Sequence, residues 1–301
     1  MTSRPEPQGE PSPILIAAAA IFLGCAMDAA IKHIGATNGM LTIAFARFGI
    51  GAVVSAIIFF AARAPTIPLA KLKLHAIRAV SIVIAAPLFF YALTVLPLTE
   101  AMTFGFTAPL ITPFMAAVAL KEKLRPYPVA AAAIGFVGVA IAAFQPSGAA
   151  VSPQHTLGVC AIFVSVFAYS TSLILLRYRA TEDSPYAIGL MGNLMPAALL
   201  AIPTIALEPV PQVSALPWLV LIGTLGAVFW LMLTWAYGRA TPQILAPLEY
   251  TGLLWGTAWS VLVFHEGVQP RVFVGALFIV AACVLVSWDE HRNNATPEIS
   301  I

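Results

Sequence analysis

TAPLITPFMAAVALKEKLRP at 107–126 and TGLLWGTAWSVLVFHEGVQP at 251–270 are the stretches that decide the fold. Each is an apolar run, Thr107 to Leu120 and Thr251 to Phe264. Each is closed by an acid, Glu122 or Glu266, and then a proline, Pro126 or Pro270, at a constant offset of 144 residues. Identity between the halves is sparse elsewhere, but the hydropathy profile persists. Apolar spans start near residues 13, 40, 76, 101 and 128 and recur near 157, 185, 217, 244 and 271. Each copy thus carries five spans. Five is odd, so two membrane-embedded copies must cross the bilayer in opposite senses, an arrangement typical of secondary transporters.

The chain has 301 residues, 60% of them apolar and 9% charged, which leaves no room for a soluble domain. A spanning helix takes roughly 20 apolar residues, so ten take about 200 and leave short connections. The runs are continuous rather than alternating, which excludes a β-barrel. The expected fold is therefore all-α and integral to the membrane, with ten transmembrane helices in a five-plus-five inverted repeat. Residues 1–12 read as a disordered cytoplasmic N-terminus, 13–145 as the first repeat, 157–288 as the second and 289–301 as a cytoplasmic tail. Ile14 to Ile31 is too long for the core of a signal peptide. Cys25, Cys160 and Cys283 stand singly in separate spans, so neither a disulfide framework nor a metal cluster is indicated, and no cofactor is expected.

Twelve of the fifteen Lys and Arg fall at the termini or at even-numbered connections: Arg4, Arg63, Lys71, Lys73, Arg78, Lys121, Lys123, Arg125, Arg177, Arg179, Arg239 and Arg292. Odd-numbered connections hold only Lys32 and Arg271, and Arg47 lies within a span. This bias places both termini in the cytoplasm of a multi-pass inner-membrane protein. The net charge of +2 gives no reason to expect nucleic acid as a partner. The expected partners are a small-molecule substrate and the lipid bilayer, and the expected state is a monomer.

An ionisable side chain inside a span needs a partner or a task. Asp28 and Lys32 share one face of the first span near its outer end. Arg47 lies about eight residues into the second span, roughly 12 Å deep. Two readings stand side by side. Asp28 pairs with Arg47 or Lys32 to fix helix packing, or one of these charges faces a cavity, where a guanidinium would hold a substrate carboxylate in a forked contact. Glu249, in LAPLEYTG of the ninth span, reads equally as structural or as a binding, gating or proton-coupling group. Glu122 and Glu266 read as span-end residues, as do His33, His75, His155, His265 and His291.

The third and eighth spans correspond, and PLFFYAL and FWLMLTWAY set Tyr91 against Trp235 at the shared offset. Phe90, Tyr91, Tyr169, Trp230 and Trp235 are the aromatic candidates for a cavity wall, weighed against ordinary packing and the interfacial belt. Trp218 and Trp288 read as belt residues. Pro87, Pro109, Pro113 and Pro247 are hinge candidates in spans three, four and nine, since each removes a backbone donor, and Pro196 is a further kink.

AMDAAIKHI in span one, FARFG in span two, YAL in span three, the acid-capped LKEKL and VFHEG, and APLEY in span nine resemble the EamA family of the drug/metabolite transporter superfamily. Within it the chain is most similar to YddG-type exporters of aromatic and other neutral amino acids. The resemblance implies a ten-helix inverted repeat around a cavity lined mainly by spans one, three, four, six, eight and nine, working by alternating access. The function expected is export of small metabolites, amino acids foremost, with a nucleoside-like or riboflavin-like cargo as the alternative. No enzyme is expected, since neither HExxH nor GxSxG occurs, and the absence of charged pore rings argues against a channel.

Overall fold

A computed structural model describes residues 12–35, 37–68, 71–95, 104–121, 123–143, 153–264 and 270–294. The described residues form ten helices of at least 13 residues. They are α1 (Pro13–Gly35), α2 (Met40–Ala61), α3 (Leu72–Val95), α4 (Ala108–Leu120), α5 (Pro126–Ala143), α6 (Pro153–Ala180), α7 (Pro185–Leu207), α8 (Leu216–Tyr237), α9 (Thr251–Phe264) and α10 (Pro270–Asn294). Helices α1, α2, α3, α6, α7 and α8 are each long and apolar enough to cross a membrane, and shorter apolar helices fall within α4, α5 and α10. Prolines explain many of the starts. Seven of the ten helices carry one at the first or second position, where its missing N–H is not needed and its fixed φ suits the first turn.

Four starts differ from the sequence reading by four residues or more: α4 begins at Ala108 rather than near 101, α6 at Pro153 rather than near 157, and two others bear on the site. Helix α3 begins at Leu72 rather than near 76, which draws His75 and Arg78 into the bundle; both are only 2% exposed. Helix α9 begins at Thr251 rather than 244. A single turn, Pro242–Leu245, is followed by 3-10 backbone over Ala246–Tyr250, because Pro242 and Pro247 each lack the N–H a continuous helix would use. Glu122, His265 and Glu266 lie outside the described residues, as do residues 1–11 of the expected N-terminal segment.

The helices interleave. The most extensive pairings are α5 with α10, α3 with α6, α2 with α7 and α1 with α8. Helix α1 corresponds to α6 and α3 to α8, so α1–α8 and α6–α3 are the same interface made twice, as are α1–α9 and α6–α4. The backbones come close where side chains are small. A Cβ on Gly138 of α5 would lie 2.7 Å from the carbonyl oxygen of Gly275 in α10, and one on Gly223 of α8 would lie 2.6 Å from Ile50 Cβ in α2. Val118, Ile202 and Leu277 point outward and are exposed, as a lipid-facing surface requires.

Polar side chains tie helix ends together. Glu208, just past α7, accepts from the Leu41 and Thr42 N–H groups at 2.9 and 2.6 Å, neutralising the open donors at the start of α2. Where α3 begins and α6 ends, Asp183 gathers Arg179, His75 at 3.2 Å and Lys71 at 3.3 Å. Arg125 and Asp289 join α5 to α10.

Gly138→Val should lower the thermal unfolding midpoint in detergent, by about 1–3 kcal/mol of stability, because neither backbone at the crossing can yield. Asp183→Asn should cost about 1.5–3 kcal/mol at neutral pH. Burial alone would raise the Asp183 carboxyl, but hydrogen bonds from Arg179, His75 and Lys71 outweigh it and hold the group below the usual carboxylate range. Its stabilisation is therefore present above about pH 4 and is lost as pH falls through the depressed value. Paired melts of the two chains between pH 7 and pH 3 should converge at the acid end.

Candidate functional site

A cavity of about 300 Å³ opens between two buried clusters, one containing Trp230 and Leu233 and the other Phe48, Ile82 and Phe90. It is at the small end of the roughly 300–1,000 Å³ that ligand sites occupy. Helical spacing selects what lines it. In α3 the lining residues are Ile82, Ala85, Ala86, Phe89 and Phe90, a single i, i+3, i+4, i+7, i+8 stripe. Helix α8 contributes Phe229, Trp230 and Leu233, and the 3-10 turn contributes Glu249.

The 144-residue offset governs the wall. Cys25 and Tyr169, Asp28 and Ser172, Ala85 and Phe229, Ala86 and Trp230, Phe89 and Leu233, Gly105 and Glu249, and Ala108 and Gly252 are equivalent positions, and both members of every pair line the cavity. The pairs differ in size and charge. The first half supplies Cys, two Ala and Gly where the second supplies Tyr, Phe, Trp and Glu.

Four charged side chains surround this space. Asp28 is accessible and opens onto the cavity, while Arg47 is 6% exposed beside it. The two are close enough to interact electrostatically, but the described residues contain no direct Asp28–Arg47 ion pair. Arg47 instead donates from Nε to Met27 Sδ at 3.4 Å and lies 4.2 Å over the Phe48 ring. Gly226 leaves room for it, since a Cβ there would stand 3.3 Å from Arg47 Nε. Glu249 lies close to the Tyr169 hydroxyl, and its Oε1 is buried without a partner. Ser172 Oγ and Trp230 Nε1 are likewise buried and unpartnered, so the wall holds donors and an acceptor with unused capacity. Arg78, the fourth charge, lies behind Trp230 with its guanidinium 5.1 Å over the indole.

Of the residues named from sequence, Asp28, Arg47, Phe90, Tyr169, Trp230, Glu249 and Pro109 line the cavity. Lys32 is exposed and outside the lining. Tyr91 and Trp235 are also outside it. Each lies two residues beyond a lining position, Phe89 and Leu233, and two residues turn a side chain roughly 200° around a helix. Trp235 stacks beneath Arg239 at 3.8 Å. Pro87 and Pro113 are inside α3 and α4, Pro109 is in the first turn of α4, and Pro247 is in the 3-10 segment. Cys25 is also in the wall and donates to the Gly252 carbonyl at 3.4 Å. Arg47 and Phe48 add α2 to the expected lining helices. Arg78, grouped with the second connection in the sequence reading, lies in the second turn of α3, and Ser172 is the position equivalent to Asp28 at the 144-residue offset.

The sequence matches the model of the EamA-like transporter family twice, over residues 11–144 and 156–288. It is 30% identical over 204 residues to an uncharacterized transporter of Helicobacter pylori, covering 66% of this chain and 68% of that one. It is 25% identical to the pseudopaline exporter of Pseudomonas aeruginosa, covering 92% and 96% of the two chains. To the S-adenosylmethionine uptake transporter of Rickettsia bellii it is 22% identical, covering 89% and 90%. A solved crystal structure superposes with a TM-score of 0.77 at 23% identity, covering 91% of this chain and 98% of that one, which shows a shared fold. With its two matched halves and its apolar membrane-length helices, this chain belongs to the EamA-like transporter family, a multi-pass carrier of small molecules and not an enzyme.

Proposed function

We propose that the protein exports small zwitterionic metabolites with an amino-acid core by alternating access between two inverted halves. The single observation carrying this reading is the cavity wall, which sets Arg47 for a carboxylate and Asp28 and Glu249 for an ammonium around a mostly apolar space. A zwitterion satisfies both signs at once, and neither group then needs a protein partner. The interleaved pairing supports the mechanism. Interfaces α1–α8 and α6–α3 are equivalent, so opening one while closing the other exchanges two similar conformations. Pro87, Pro113 and Pro247 are the candidate hinges, and the basic bias favours cytoplasmic termini. The Pseudomonas relative is named an exporter, which favours that direction.

A second reading has its own support. Tyr169, Phe229 and Trp230 supply rings for a nucleoside-like cargo, and the Rickettsia relatives are named for S-adenosylmethionine.

Proteoliposomes loaded with labelled leucine, phenylalanine, aspartate, glutamate or adenosine should exchange the amino acids against the same compound outside. Absence of flux for every amino acid rejects the first reading, and flux of adenosine alone establishes the second. Arg47→Gln and Asp28→Asn should each raise the half-saturating concentration about 10- to 100-fold, the equivalent of roughly 1.5–3 kcal/mol for a lost charge-assisted hydrogen bond.

A further inference from the structure

Arg78 is the one charge near the cavity that the transport reading above leaves without a task. Its side chain is 2% exposed, its Nε has no partner, and among the described residues no carboxylate pairs with it and no acceptor takes its hydrogen bonds. An uncompensated guanidinium inside a bundle is costly, and apolar residues would pack there more stably. The surroundings nevertheless keep room for it. On α7, Gly192 has no Cβ where one would stand 2.6 Å from Arg78 Nη1. The far side of the guanidinium rests on Trp230, whose other contacts reach the cavity, and Ile82, one turn along α3, is already in the wall. Arg47 is near enough for the two cations to repel each other.

Both arginines come from the first half, and both have apolar equivalents in the second, Met191 for Arg47 and Ile222 for Arg78. The repeat therefore does not require them. Two guanidiniums with no carboxylate ion pair among the described residues, close enough to influence each other, share this region with Asp28 and Glu249 and offer more positive charge than a single carboxylate answers.

We propose that Arg47 and Arg78 together receive two carboxylates of one cargo molecule, so that the substrate class is an amino-dicarboxylate zwitterion rather than a neutral amino acid. This rests on the amino-acid reading above and narrows it. One carboxylate meets Arg47. The second passes the edge of Trp230 to reach Arg78, and the ammonium faces Asp28 and Glu249.

The test is competition in proteoliposomes with aspartate, glutamate, 2-aminoadipate, leucine and succinate, on the full chain and on Arg78→Gln and Arg78→Lys. The native chain should prefer at least one amino-dicarboxylate over leucine tenfold or more, and over succinate, which lacks the ammonium. Arg78→Gln should reduce that preference at least tenfold with leucine flux changed less than twofold, and Arg78→Lys should restore part of it. Equal use of leucine and the dicarboxylates by the native chain overturns the proposal while leaving the amino-acid reading intact. An equal fall in both fluxes for Arg78→Gln also overturns it, since that is what a packing role gives. No flux for any amino acid removes both readings together. If Arg78→Gln does not fold, the native preference and the Arg78→Lys ratio still decide.

Discussion

In hydrocarbon, two helices gain nothing by hiding leucines from each other, and what holds them is how closely their backbones approach. The α2–α8 and α5–α10 crossings show this dependence. Gly223 leaves α8 room against Ile50 and the Gly51 nitrogen, and Gly138 brings α5 against the Gly275 carbonyl. These approaches hold the helices close enough to leave an inner space of defined size. Larger residues would hold the helices apart and widen the space that Arg47, Asp28 and Glu249 line.

Within that frame the two halves supply different chemistry from equivalent places. The Ala85–Phe229 and Ala86–Trp230 pairs give a small side chain on one wall and a ring on the other, so an internally symmetric scaffold encloses an asymmetric space. Charge is divided less evenly, three of the four groups coming from the first half. The guanidiniums stand on α2 and α3 of the first half, while the carboxylates come from α1 and from the broken turn before α9. That turn is 3-10 because of Pro247, and the break is what aims Glu249 inward.

Much of this was legible in the sequence, for physical reasons. A bilayer demands long apolar helices, so the spans read directly from hydropathy, and the offset between TAPLITPFMAAVAL and TGLLWGTAWSVLVF exposed the duplication. Helix rotation was not legible in the same way. Tyr91 and Trp235 matched each other across the repeat, but nothing in a mostly apolar helix marks which face turns inward, and both point away from the cavity. Arg78 groups with the connection in the sequence because Lys71, Lys73 and His75 depress hydropathy just where α3 starts.

The interleaving of the halves bears on how the chain is made. A ribosome delivers α1 to α5 first, yet α1 finds its main neighbour in α8 and α3 finds its own in α6. Until those helices arrive, Asp28, Arg47 and Arg78 sit on half-built walls in the membrane. Neither repeat is a folding unit in the sense that domains of a soluble chain usually are. The first half must wait in the bilayer as loosely associated spans, and the polar interior closes only when the last third of the protein has been inserted.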